Sequence, residues 1–210
     1  PGLARYLSRN AQVFDAVIAG TFFAPLPDMT DLAESLTTVL AALDDYETQL
    51  NAARRWMKEQ HFRIGVHHLK GMIDSAAAGQ QYSDLAEACL RAVLPKVEAE
   101  FARKHGAPPG RGAVVLGMGS LGAGSLSGTS DLDLIVIYDG AGQDSSTGKR
   151  PLPVTTYYAR LTQALVTALS SPMAEGRLYE VDMRLRPSGR KGPVATPFSG
   201  FQSYQQTEAW

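Results

Sequence analysis

One stretch of the chain, residues 117–139 (GMGSLGAGSLSGTSDLDLIVIYD), constrains the fold most. Its second half is apolar at almost every position from Leu132 to Tyr138, and a strand that is apolar on both faces is typical of the centre of a sheet. Two aspartates, Asp131 and Asp133, stand where this run begins. Because side chains two apart on a strand point to the same side, both carboxylates are expected together at one end of a buried strand.

This acidic pair predicts a cation site. Neighbouring carboxylates repel each other unless a cation or a positive substrate group neutralises them. Oxygen ligands suit Mg²⁺, which proteins usually hold with one or two carboxylates and substrate phosphates. The Gly119–Ser120 turn upstream offers backbone N–H groups that can bind phosphate oxygens. The plainer alternative, Asp133 on a solvated face, conflicts with Ile135 and Ile137 on the same side of the strand.

Two other interpretations of the glycines fit less well. The segment GMGSLG (117–122) matches a dinucleotide-binding pattern, and Asp139 lies about 20 residues on, where that fold places an acidic group. However, residues 119–130 contain four glycines and four serines, and each glycine costs a helix about 1 kcal/mol, so a crossover helix is not expected here. A P-loop needs Gly-Lys-Ser/Thr at the end of the turn, and the segment lacks it.

The composition of the 210-residue chain narrows the class of protein. A net charge of −1 gives no overall field that would attract nucleic acid, so any polyanion site has to be local. The single Cys89 lies in an apolar helical context, which predicts a buried thiol and fits a reducing cytosol. The ~18 consecutive apolar residues of a membrane span and the pattern of a signal peptide are both missing. The sequence therefore predicts a cytoplasmic protein that binds neither nucleic acid nor membrane.

The two halves of the chain have different patterns. Residues 1–105 place apolar side chains at spacings of three and four, which predicts helices. Asp28 or Thr30, and Ser83, are expected as N-caps, with a linker at 76–81.

A proline- and glycine-rich segment at 105–112 predicts a boundary. Beyond it the pattern predicts strands at 113–118, 131–139 and 177–187, a loop at 140–151, and helices at 154–171 and 197–210. We expect an α+β fold, with a helical region at 1–105 and a mixed-sheet catalytic domain at 106–210. The last helix ends without a cap, so the domain is expected to be incomplete at its C-terminus.

The spacing of Gly-Ser, about a dozen residues and Asp-x-Asp resembles the signature of the nucleotidyltransferase superfamily of DNA polymerase beta type. That superfamily has a third carboxylate on a later strand, and Asp182 supplies it here, on a predicted strand face shared with Glu180, Arg184 and Arg186. The resemblance implies that the three aspartates are catalytic and hold two Mg²⁺ ions. It also implies a set of nucleotide- and phosphate-binding residues: Gly119, Ser120, Ser130, Arg184 and Arg186. For the two arginines, a structural ion pair is an equally good interpretation.

A longer string, GRLYEVDMRLRPSGRKGPVAT (176–196) followed by FQSYQQTEAW, resembles the glutamine synthetase adenylyltransferases. These bifunctional enzymes attach AMP to a tyrosine of glutamine synthetase and remove it, with two related catalytic halves. The segments 45–66 and 82–92 resemble the helices before each half. MRLRPSG and Asp-Leu-Asp favour the adenylylating, C-terminal half, whereas Ser120 stands where the family commonly has a basic residue.

The resemblance implies Mg²⁺-dependent transfer of AMP from ATP to glutamine synthetase, in regulation of nitrogen assimilation. Two alternatives stay open: phosphorolytic removal of AMP by the sister domain, and a non-catalytic nucleotide-binding or docking module. The helical region could bind the nitrogen-signalling PII protein, dock glutamine synthetase, or serve as a scaffold for the catalytic domain.

Overall fold

The computed structural model describes residues 21–209, so the helix predicted within residues 1–20 lies outside the described part. After a 3₁₀ turn at Thr21–Phe23, three helices follow: α1 (Met29–Ala41), α2 (Tyr46–Leu69) and α3 (Ser75–His105). The rest of the described chain is mixed: β1 (Gly112–Gly117), α4 (Gly119–Gly122), β2 (Leu132–Asp139), α5 (Val154–Ser170), β3 (Val181–Asp182), a 3₁₀ turn (Gly189–Lys191), β4 (Ala195–Pro197) and α6 (Phe198–Thr207). The α+β prediction is confirmed. No helix within residues 21–209 is both long and apolar enough to cross a membrane.

Capping aspartates begin the long helices. Asp28 caps α1, as predicted, by accepting a hydrogen bond from the backbone N–H three residues on. The predicted cap at Ser83 is wrong, because Ser83 lies buried inside α3 and donates its hydroxyl to the carbonyl of Gly79 at 2.9 Å. Asp74 caps α3 instead. Both serine and aspartate are good caps, and the sequence pattern alone did not choose between them.

The predicted linker at 76–81 is also wrong, since these residues form the first turns of α3. Its alanines are strong helix formers, which offset the cost of Gly79. Gly79 is needed for packing, because a Cβ there would lie 3.3 Å from the backbone of Ser125. The glycine therefore lets α3 approach the loop before β2.

Strand β2 is the central strand, as its apolar pattern predicts. It pairs antiparallel with β1 on one side and parallel with the short strands β3 and β4 on the other. The antiparallel β1–β2 pair excludes the dinucleotide-binding interpretation, which needs parallel strands joined by a crossover helix. The intervening helix, α4, is only four residues long.

The strand predicted over 177–187 is mostly wrong, because only Val181–Asp182 is extended and paired. The alternation of side chains continues past it, but the backbone turns. Pro187 has no N–H to donate to a sheet, and Ser188 adopts the left-handed conformation with φ of 59°. Local turn-forming residues therefore override the alternating pattern.

The helical region and the sheet share one hydrophobic core. Its buried members include Leu85 and Cys89 from α3, Leu132 and Leu134 from β2, and Tyr157 from α5. The Cys89 thiol is buried, as predicted, and burial raises its pKa far above the usual range. The boundary between two domains at residue 105 stays a prediction.

Arg54 of α2 ties the end of α5 to the helical region. Its side chain is fully buried (0% exposed) and donates to four carbonyl oxygens, those of Leu50, Ala168, Ser171 and Gly176, at 2.7–3.1 Å. Burial lowers the pKa of its guanidinium. Two of these carbonyls lie at the C-terminal end of α5, where the helix dipole favours a cation.

We expect Arg54→Met to lower the free energy of unfolding by about 3 kcal/mol, because methionine fills similar space but leaves buried carbonyl oxygens without a donor. Urea denaturation followed by circular dichroism measures this. The matched control is Arg55→Met, since Arg55 is exposed and makes only a surface ion pair with Glu175. Equal losses for both variants would contradict the importance of the buried hydrogen bonds.

Candidate metal and nucleotide site

Parallel pairing of β2 with β3 brings two of the predicted carboxylates together. Asp133 and Asp182 are direct partners in the register, on strands about 4.8 Å apart. The pairing is anchored by the backbone N–H of Leu132, which donates to the carbonyl of Glu180 at 2.9 Å. Both aspartates are half-buried. This arrangement joins residues that are 49 positions apart in the chain.

The glycine-serine turn lies directly against Asp133. The N–H of Met118 donates to the Asp133 carbonyl at 2.8 Å, and Gly119 follows with φ of +53°. A Cβ at Gly119 would fall 2.4 Å from Oδ2 of Asp133. Only glycine therefore allows this turn to approach the carboxylate so closely, and Ser120 next to it is exposed at the start of α4.

Asp131 is exposed at the end of the loop that leads into β2. Ser130, before it, uses its hydroxyl inside this loop: its Oγ accepts from the N–H of Ser127 at 3.0 Å and contacts the Ser127 hydroxyl at 2.9 Å. In this conformation Ser130 shapes the loop, and its predicted phosphate-binding role stays a prediction.

Arg184 binds the carboxylate of Asp182, the third aspartate of the predicted site. Its backbone N–H donates to Oδ1 of Asp182 at 2.8 Å, and its guanidinium forms an ion pair with Oδ2. The hydrogen bonds from the side chain and backbone of Arg184 hold the pKa of Asp182 below its usual range. The carboxylate is therefore ionised at neutral pH, and Arg184 adopts the ion pair that the sequence left open.

The predicted common face of Glu180, Asp182, Arg184 and Arg186 does not form, because the chain turns after Asp182. Glu180 pairs with Arg177 instead. The guanidinium of Arg186 donates to three carbonyl oxygens of the 183–192 turn, at 2.6–3.3 Å. Arg186 thus stabilises the turn that follows β3.

The donor chemistry of the three aspartates fits Mg²⁺, since all their ligand atoms are carboxylate oxygens. Within residues 21–209, no three acidic, histidine or cysteine side chains stand close enough to form a metal centre. The guanidinium of Arg184 forms an ion pair with the Asp182 carboxylate.

A pocket of about 420 Å³ opens beside Asp131, between the helical region and the β2–β3 edge of the sheet. Side chains of α2 and α3 form one wall, notably His61 and Tyr82, whose rings lie 4.7 Å apart. The segments 127–131 and 177–180 form the other wall. No local sequence pattern connects His61 and Tyr82 with the acidic strand, so neither residue was predicted at this site.

A central strand carrying Asp133, a close glycine-serine turn and a second aspartate on the neighbouring strand together form one acidic edge of a mixed sheet. A family model described as glutamate-ammonia ligase adenylyltransferase matches residues 1–210. The chain belongs to this family of transferases, which confirms the resemblance.

Three relatives carry the name bifunctional glutamine synthetase adenylyltransferase/adenylyl-removing enzyme. Those from Brucella suis and Mesorhizobium japonicum are each 46% identical to this chain, and that from Agrobacterium fabrum is 43% identical, over 211 residues. Each alignment covers 100% of this chain but only 21–22% of the relative. The chain therefore spans about a fifth of the length of these relatives.

We expect Gly119→Ala to weaken Mn²⁺ binding about tenfold, because the new methyl group would displace the Asp133 carboxylate. Electron paramagnetic resonance of free Mn²⁺ measures the dissociation constant. Gly142→Ala is the matched control: Gly142 also has a positive φ, +77°, but a Cβ there meets nothing within 4 Å. Unchanged Mn²⁺ affinity in Gly119→Ala would remove this turn from the proposed metal site.

Proposed function

We propose that this chain transfers AMP from ATP to a tyrosine of glutamine synthetase in a Mg²⁺-dependent reaction. The observation that carries the proposal is the pairing of Asp133 with Asp182, with the Gly119 turn against Asp133. Family membership and the names of the relatives support the reaction class and the acceptor protein. The pocket of about 420 Å³ is lined by Asp131 and by the segment 177–180 that leads into β3, so it lies beside the acidic residues.

Each side chain has a distinct part in this proposed reaction. Asp131, Asp133 and Asp182 would hold two Mg²⁺ ions, which neutralise phosphate charge and favour the ionised form of the acceptor phenol. Backbone N–H groups at Gly119–Ser120 bind the outer phosphates of ATP. The tyrosine oxygen attacks the α-phosphorus, the bond to the bridging oxygen breaks, and pyrophosphate leaves with that oxygen. Because the pKa of tyrosine is about 10, its proton has to leave for this attack at neutral pH, and solvent water takes it up.

Asp182 is proposed as a metal ligand. Its carboxylate is ionised near neutral pH, since the hydrogen bonds from Arg184 lower its pKa, and an ionised carboxylate suits a metal ion. Arg184 then turns from Asp182 to the phosphates, where a bidentate guanidinium stabilises charge that develops in the transition state.

The adenylylating direction is proposed from MRLRPSG at 183–189 and Asp-Leu-Asp at 131–133, both typical of that half. Phosphorolytic removal of AMP is the second candidate, because the relatives' names include an adenylyl-removing activity. A non-catalytic nucleotide-binding module is the third. A cytoplasmic location and contact of the helical region with a PII-type protein also remain predictions.

We expect Asp131→Asn and Asp133→Asn each to reduce AMP transfer about a thousandfold or more, since each removes a charge that holds the ions at the reacting phosphate. The assay incubates the chain with α-labelled ATP, Mg²⁺ and unmodified glutamine synthetase, and counts label in the synthetase. Asp44→Asn, an identical charge change in an exposed loop, is the control and should leave transfer unchanged.

The same assay separates the three candidates. Transfer that persists in Asp133→Asn would refute the metal assignment. Release of ADP from adenylylated synthetase and phosphate, without label transfer by the unaltered chain, would establish the removing reaction. Binding of ATP with neither reaction would identify a non-catalytic module.

A further inference from the structure

The serine-rich loop before Asp131, residues 123–130, is docked onto the helical region at two points. At the first, the N–H of Leu126 donates to Oγ of Ser83 on α3 at 3.2 Å, and the Leu126 side chain is buried. This contact explains why Ser83 lies in the middle of a helix. It attaches the start of the loop, five residues before Asp131.

The second attachment point is His61 of α2. Its Nε2–H donates to the carbonyl of Gly128 at 2.9 Å. The ring packs against Tyr82 of α3, with ring centres 4.7 Å apart. A Cβ at Gly128 would lie 3.3 Å from both rings, so the glycine backbone sits directly on this aromatic pair. Burial lowers the pKa of His61, so the ring is neutral at pH 7.

The loop transmits this attachment to Asp131. Ser127 and Ser130 close a compact turn through two side-chain hydrogen bonds and a backbone bond from the Ser130 N–H to the Ser127 carbonyl. Gly128 lies inside that turn, and Asp131 follows it directly. Asp133, by contrast, is fixed by its pairing with Asp182 on one side and by the hydrogen bond from the Met118 N–H to its carbonyl on the other. Asp131 precedes the paired residue Leu132, so its position depends on that pairing on one side and on the loop, with what holds the loop, on the other.

We propose that His61 is a positioning residue for the AMP-transfer reaction: through its hydrogen bond to the Gly128 carbonyl it holds Asp131 where a metal ion can join it to Asp133. The inference rests on the proposed function for its role in catalysis, and on the loop geometry alone for its role in metal binding. His61 acts through the Gly128 carbonyl, from the helical region across the interface with the sheet.

Two substitutions of His61 distinguish a role in positioning Asp131 from a role in packing against Tyr82. His61→Leu keeps a branched apolar side chain against Tyr82 but removes the donor. His61→Gln places an amide nitrogen near the position of Nε2 and can restore the hydrogen bond. His68→Leu on the same helix is the control, because His68 is exposed and, within residues 21–209, its ring hydrogen-bonds the Ser75 hydroxyl and not the loop before Asp131.

The first measurement is Mn²⁺ binding to the chain without nucleotide, by electron paramagnetic resonance, together with hydrogen exchange of the amides of residues 127–131. We expect His61→Leu to weaken Mn²⁺ binding about tenfold and to speed exchange in this segment. His61→Gln should recover most of the affinity, and His68→Leu should match the unaltered chain. If His61→Leu does not fold, Gly128→Ala serves in its place, since its methyl group pushes the same carbonyl away from the ring.

The second measurement is AMP transfer to glutamine synthetase. We expect His61→Leu to lower kcat and raise the Mg²⁺ concentration for half-maximal rate, with KM for the synthetase unchanged. Unchanged Mn²⁺ affinity in His61→Leu and Gly128→Ala would overturn the inference, as would a His61→Gln variant no better than His61→Leu. If the unaltered chain transfers no AMP while the Mn²⁺ effects appear, the proposed function fails and the positioning of Asp131 stands.

Discussion

Strand β2 has partners on both sides, and the candidate site depends on this double pairing. The antiparallel partner β1 delivers the glycine-serine turn to one side of Asp133. The parallel partner β3 delivers Asp182 to the other side. Because the paired part of β3 is only two residues long, the position of Asp182 also depends on the segments that enter and leave it. The buried hydrogen bonds of Arg54 at Gly176 hold the entering segment, and the turn stabilised by Arg186 holds the leaving one.

The helical region is therefore part of the site's framework. Arg54 and His61 of α2 and Ser83 of α3 each bond backbone atoms of the catalytic half, and none of them bonds the aspartates themselves. A boundary at residue 105 describes the change in sequence pattern. The shared hydrophobic core and these polar contacts tie the two sides of that boundary together.

The sequence predicted what depends on local pattern. The apolar run that follows Asp131 and Asp133 was sufficient to predict a central strand. The glycine-rich segment before it was sufficient to exclude a crossover helix. The prediction failed at 177–187, because alternation cannot distinguish a strand from a turn in which Asp182 accepts the N–H of Arg184 and Pro187 donates nothing. The sequence did not predict the contact of His61 with Gly128. The two residues lie 67 positions apart, and a contact between residues so far apart leaves no periodic pattern in the sequence.

The ion pair of Arg184 with Asp182 has a counterpart in the proposed reaction. The guanidinium neutralises the charge of Asp182 at the end of β3. In the proposed complex, two divalent cations would over-compensate the three carboxylates, and the triphosphate would restore negative charge beside them. Arg184 would then exchange its carboxylate partner for phosphate oxygens. Since the ion pair is exposed on the arginine side, this exchange costs little, and Arg184 would not block the proposed site.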